Sequence, residues 1–220
     1  MVVPVIVVAT SGYLGEVIAI VANPAEGSTQ TEIVGVVAAG SVDLVGELAR
    51  RVGVPVAPSL DDLEERSGLA PGSNLDERRI GLVVAGGSIA DRAQALQDLH
   101  HRPTLVHADT TIGPWVELGA GTIVSPGVRI TANVIVGQGC LVHTGAVLSH
   151  DDRLGDLVTI SPSATLCGGV EIGDRSTVFA GATVMPGVRI GRDVTVGAGA
   201  LVRKDVPDGA TVAGVPARAL

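Results

Sequence analysis

The chain has 220 residues, enough for one large domain or two small ones with real cores. Hydrophobic residues make up 46% of it but aromatics only 1%, so its packing rests on Val, Ile, Leu and Ala, which fits most sandwiches and bundles poorly. A net charge of −8 offers no basic face to a phosphate backbone and argues against nucleic acid as a partner.

The opening MVVPVIVVA is too short to span a bilayer and reads as a buried strand, so no membrane role is expected. After it come a predicted helix over YLGEVIAIVAN, a strand over TEIVGVVAA and a helix over SVDLVGELARRVG. The stretch GLAPGSNLDERR is a predicted surface loop, followed by a strand over IGLVVAGG and a helix over IADRAQALQDLHHR. Strands alternating with helices predict a small α/β (Rossmann-like) domain with a parallel sheet over residues 1–104. The two cysteines, Cys140 and Cys167, lack metal-type spacing, and no signal peptide precedes the first strand; a reduced, cytoplasmic setting is expected.

The rest of the chain obeys a different period. Stepping by six from Ile112 to Val202, every residue is aliphatic. Four places after each comes a second inward slot, held by small or aliphatic residues such as Val128, Cys140, Ala146 and Val170, and at one place by Asp152. This is the hexapeptide signature of a parallel β-helix whose coils are triangular, with three hexapeptides to a coil. It predicts a prism of a little over five coils that needs a cap at each end, one of them supplied by VPDGATVAGVPARAL.

A small α/β domain feeding directly into such a helix, with VLSHDDRLGD in mid-helix and VRKDVPDGATVAGVPAR near the end, resembles the sialic acid O-acetyltransferase family of sugar acyltransferases, which includes UDP-4-amino-sugar N-acetyltransferases. The resemblance implies a left-handed β-helix over residues 105–220 that assembles as a homotrimer with active sites between subunits. It also implies acetyl-CoA in the groove between neighbouring helices, a sugar or sugar nucleotide acetylated on an amino or hydroxyl group, an acceptor-binding role for the N-terminal domain, and no metal.

His150 falls two places after Leu148 and so stands on a turn, outside the core. Acyl transfer to an amine or hydroxyl needs a base, and imidazole, with a pKa near ~6.5, suits that at neutral pH. Asp151 could hold the ring in one tautomer and stabilise the imidazolium; the resemblance assigns the pair these roles. Eighteen residues on, one coil above or below, is Gly168, where a bare backbone N–H could face a thioester oxygen, and the resemblance puts the oxyanion donor there. Along the remaining coils Gly168, Ala180, Gly181, Ala198 and Gly199 are the expected acetyl-CoA contacts, with Lys204 for a CoA phosphate.

Several positions depart from the family. Thr159 stands where a second histidine is common and His143 where an asparagine is usual, which suggests a remodelled acceptor pocket. Asp152 is a carboxylate in a core slot, costly unless paired, and is expected either to turn outward or to titrate with a raised pKa. After the first strand the loop ATSGYLGE is only loosely glycine-rich, leaving Ser11 and Gly12 as the candidates for the acceptor's phosphates, and Ala38 and Ala39 occupy the family's acidic position. Three other readings compete: a zinc carbonic anhydrase on the same helix, for which His143 and His150 lack a third ligand in register because His100, His101 and His107 precede the repeat; a non-catalytic scaffold; and acetylation of a non-nucleotide acceptor such as a glycosylated natural product.

Overall fold

The computed structural model describes residues 3–9, 11–26, 30–38, 45, 49, 51, 53–57, 81–85, 89–90, 92–93 and 102–220. The chain divides into two compact units, Met1–Leu105 and Val106–Leu220.

The first unit carries a four-stranded sheet of β1 (Val3–Ala9), β2 (Thr31–Ala38), β3 (Val56–Ala57) and β4 (Gly81–Ala85) in the order β3-β2-β1-β4, every pair parallel. Val5, Ile6 and Val7 on the central β1 are buried, as expected of a strand covered on both faces. Helix α1 (Ser11–Ala22) starts two residues after β1 ends and buries Leu14, Val17 and Ile20, a stripe at helical spacing, while touching β1 and β2. The strand β3 was not read from the sequence: VPVAP is short and holds two prolines, yet Val56 pairs with Val36 and extends the sheet. The predicted loop over 68–79, residue Ala39, His100 and His101 lie outside the described residues, as do most of the helices expected over 41–53 and 89–102.

The second unit is a triangular solenoid built from two-residue strands. Its first face runs from Leu105–Val106 to Thr211–Ala213, its second from Thr111–Ile112 to Leu201–Val202, and its third from Glu117–Leu118 to Arg189–Ile190. Neighbouring strands on a face are parallel and eighteen residues apart in register, as Val147↔Thr165 and Leu148↔Leu166 illustrate. The second residue of each strand points inward, so Val124, Ile130, Leu148, Ile160, Leu166 and Val178 are all 1% exposed or less. Each corner takes four residues, and from Trp115 to Gly199 the third of them has a positive φ. Glycine suits that backbone, but Asn133 (φ 57°), Asp151 (φ 66°) and Asp193 (φ 55°) adopt it too. The corner after Val136 opens on Gly137 for another reason: a Cβ there would come within 2.5 Å of the backbone of Gly155 in the next coil.

The repeat begins at Leu105–Val106, one six-residue step before Ile112, and continues to Thr211–Ala213. Its last coil is two residues short. Val196 pairs with Val212, and Ile190 bridges Val206, each at an offset of sixteen. Val206, read from the sequence as a corner slot, is therefore a rung of the third face. The strand Arg218–Ala219 then folds back antiparallel on Val212 and Ala213.

Candidate active site

The corner between the second and third faces carries Ser149, His150, Asp151 and Asp152. Its second residue projects His150 into solvent, with the side chain 69% exposed. The left-handed backbone at Asp151 sets its carboxylate beside the ring, with Oδ2 2.8 Å from His150 Nδ1. An acceptor at Nδ1 fixes the tautomer of the neutral ring: Nδ1–H donates to Asp151, which leaves the lone pair on Nε2. The hydrogen bond from His150, and then one from Asn133, hold the Asp151 carboxyl below its usual range, so it stays ionised beside the imidazole.

Asp151 is itself held. Asn133 Nδ2 donates to Asp151 Oδ1 at 2.5 Å from the coil below, and Arg153 donates to Asn133 through Nη2 to Oδ1 at 3.3 Å and through Nη1 to its carbonyl oxygen. Neither Asn133 nor Arg153 was singled out from the sequence. The signal was present: Asn133 lies eighteen residues before Asp151, the same offset that picks out Gly168 from His150.

Gly168 lies under the free end of the imidazole. A Cβ built on it would sit 3.1 Å from His150 Nε2 and 3.2 Å from Cε1, and its φ of +102° is one that L residues rarely adopt. Gly169 N–H donates to the His150 carbonyl at 2.8 Å and the Gly168 carbonyl accepts from Gly187 N–H at 3.0 Å, while the Gly168 N–H has no hydrogen-bond partner among the described residues. The Gly168 backbone thus closes against the imidazole, with its N–H unpartnered among the described residues.

Asp152 keeps its inward slot and is completely buried. Oδ2 accepts from Ser149 N–H at 2.8 Å and Oδ1 from Val170 N–H at 2.9 Å. Burial pushes its carboxyl up to about 6, with the two backbone donors pulling the other way. Of the two outcomes expected from the sequence, turning outward or titrating high, it takes the second, and both oxygens have partners.

The other expected site residues fall on two edges of the second face. His150 and Gly168 share one edge, with Lys204, exposed, in the shortened last turn of that edge. Ala180, Gly181, Ala198 and Gly199 are exposed on the opposite edge, where a Cβ at Gly181 or Gly199 would meet nothing within 4 Å. His143 begins a corner of that opposite edge and is 4% exposed, in line with buried Ser125 and Ser161 one coil either side. Thr159 faces outward on the first face. Ser11 and Gly12 open α1 in the first unit. Within one chain, then, the structure joins His150, Asp151 and Gly168 but separates them from the small residues and His143 by the width of a face. Among the described residues no group of three or more His, Cys, Asp or Glu could hold a metal ion, and no helix is long and apolar enough to cross a membrane.

Residues 169–204 match the family model for bacterial transferase hexapeptide (six repeats). Solved structures extend the likeness over the whole chain. A histidine-to-alanine variant of GDP-perosamine N-acetyltransferase from Caulobacter crescentus, in complex with CoA and GDP-perosamine, is 32% identical, with 99% of this chain and 96% of that one covered and a TM-score of 0.77. The chain belongs to the hexapeptide-repeat, left-handed β-helix sugar acyltransferases. The acetyltransferase domain of PglB from Neisseria gonorrhoeae FA1090, in complex with acetyl coenzyme A, is also 32% identical, covering 99% of this chain and 98% of that one at a TM-score of 0.78. WeeI from Acinetobacter baumannii AYE, 22% identical over 100% of both chains, shares the fold at a TM-score of 0.63. A search of curated protein sequences finds no match. Inside the solenoid Asp152 is the buried residue that carries a carboxylate, whereas the other buried polar residues in inward slots, Thr122 and Ser176, carry hydroxyls.

Proposed function

We propose that the protein transfers the acetyl group of acetyl-CoA to the amino group of a nucleotide-linked amino sugar, with His150 as the general base. The observation that carries this reading is the pairing of His150 and Gly168. Nδ1 is occupied by Asp151, and Gly168, whose N–H has no partner among the described residues, packs against the Nε2 end of the ring. The acceptor nitrogen attacks the thioester carbonyl and gives its proton to Nε2, the carbonyl oxygen gathers negative charge against the Gly168 N–H, and the C–S bond then breaks to release CoA. Ionised Asp151 stabilises the imidazolium while the proton resides there. An amino sugar carried on a nucleotide is favoured over other acceptors by the relative bound to CoA and GDP-perosamine, and acetyl-CoA as donor by the relative bound to it.

On this reading residues 1–104 take up the acceptor, with Ser11 and Gly12 at the start of α1, where a helix N-terminus favours phosphate. Ala180, Gly181, Ala198, Gly199 and Lys204 line the path of CoA, and His143 and Thr159 meet the sugar. Because the base and the small residues lie on opposite edges of one face, a complete site takes one edge from each of two copies, and a homotrimer closes that arrangement three times. Free Cys140 and Cys167 suit a reducing, cytoplasmic setting.

The test is H150A assayed for CoA release with acetyl-CoA and GDP- or UDP-linked amino sugars. A loss of ~10²-fold or more in kcat with acetyl-CoA affinity retained supports the base. Unchanged turnover refutes it, and failure of acetyl-CoA to raise the melting temperature of the wild type refutes the transferase reading as a whole.

A further inference from the structure

The corner of His150 differs from its neighbours inside the prism. In the other coils that share this corner the inward slot is valine, at Val116, Val134, Val170 and Val188, and only the coil of the base holds a carboxylate, Asp152. A buried carboxylate is a cost the fold can avoid, since valine fills the slot in the coils on either side with no exposure at Val134 or Val170. What valine cannot do is accept a hydrogen bond.

The two bonds that Asp152 accepts are informative in where they go. One donor is the N–H of Ser149, the residue before the base; the other is the N–H of Val170, the residue that closes the Gly168–Gly169 turn. Between them they bracket both halves of the site. Ser149 N–H also faces the Leu166 carbonyl at 3.2 Å, longer than the matching rungs from Thr131 at 2.9 Å and Cys167 at 3.0 Å, as a donor shared between two acceptors should be. Resting on the reading of His150 as base, we propose that Asp152 is a positioning residue for acetyl transfer: its buried carboxylate clamps the turn that carries His150 to the turn that carries Gly168.

Bonds to an ionised acceptor are shorter and stronger than neutral ones, so the clamp is firm only while Asp152 is charged. The groups that face it are His150 and Asp151 from its own turn and Cys167 from the coil above. His150, once protonated, favours the ionised form; Asp151 opposes it. Protonation of Asp152 near pH 6 therefore loosens the clamp.

D152V and D152N decide the matter, each assayed beside the wild type and H150A for kcat, KM for acetyl-CoA and melting temperature. The expected result is a folded D152V whose kcat falls about tenfold to a hundredfold while KM stays within about twofold, because misplacing a base costs rate and leaves donor binding alone. D152N, which keeps the shape and one acceptor oxygen, falls between D152V and wild type. As pH falls through 6 the wild-type kcat drops more steeply than that of D152V, which lacks the Asp152 carboxyl and its proton. A folded D152V with wild-type kcat and an unchanged slope overturns the clamp; if D152V does not fold, wild-type kcat in D152N overturns it instead. H150A separates the two levels: full activity in H150A sinks the base itself, whereas an inactive H150A beside a fully active D152V sinks only the clamp.

Discussion

Replacing Asp152 by valine should change how the protein's stability depends on pH. An aspartate in the unfolded chain titrates near 3.8, and in the native chain burial raises this one to about 6. A difference of roughly two units, at about 1.4 kcal/mol each, is worth about 3 kcal/mol. The sign follows from which state holds the proton. Below pH 3.8 both states are protonated and the group costs nothing extra. Between 3.8 and 6 the unfolded chain has released its proton and the native chain retains it, so native stability falls as pH rises; above 6 the full penalty applies. D152V has no such group, and valine already fits the slot at Val134 and Val170. Because a little of the penalty is already present at pH 4, the stability of D152V relative to wild type should therefore grow by about 2 kcal/mol between pH 4 and pH 7, a shift on the order of 1 M in the urea midpoint. Urea unfolding followed by far-UV circular dichroism at pH 4, 5, 6 and 7 measures it. A difference that stays constant over that range refutes the reasoning, because it means that water reaches the carboxylate and burial does not set its titration.

Three further outcomes follow from the site. D151N should keep the corner's shape but favour the tautomer with Nδ1 unprotonated, lowering kcat by at least ~10²-fold while N133A, which removes one of two supports from Asp151, costs about tenfold or less in the same CoA-release assay. G168A should lose kcat far beyond its loss of stability: the added methyl meets His150 Nε2 at 3.1 Å and the strained φ costs roughly 1–3 kcal/mol, so a thermal melt and a kcat measurement on one sample separate the two effects. Co-expressing H150A with A180W, each inactive alone, should restore activity at about one quarter of the sites if each site draws its two edges from different copies; no recovery in the mixed protein refutes a shared site.

Much of the solenoid was legible because its rule is strict. Aliphatic residues every six places and small ones four places later specify which side chains point inward, and the same period stacks His150 on Gly168 before any coordinate is known. The rule hides what breaks it gently. Val206 suits a corner slot and a strand rung equally well, so the two-residue shortening of the last coil left the apolar pattern intact. At the site, Asn133 escaped notice because an asparagine in a corner already has a backbone reason to be there, its φ of 57°, and that local reason masked its bond to Asp151. Asp152 was flagged as an oddity of composition, but its partners are backbone N–H groups, which every residue but proline owns and no side-chain pattern can reveal.

The constant offset of eighteen also sets how the helix can form. Each coil finds its partners in the coil just laid down, so growth closes one short loop at a time at the same modest entropic cost, like a zip advancing tooth by tooth. A zip of identical teeth has no natural end, and a bare top rung would recruit strands from other molecules. The coil shortened to sixteen residues spoils the pitch, and the antiparallel strand Arg218–Ala219 occupies the edge that the next tooth would need. The same few residues that interrupt the repeat are thus a stop signal, converting a polymer-like growth rule into a particle of fixed height.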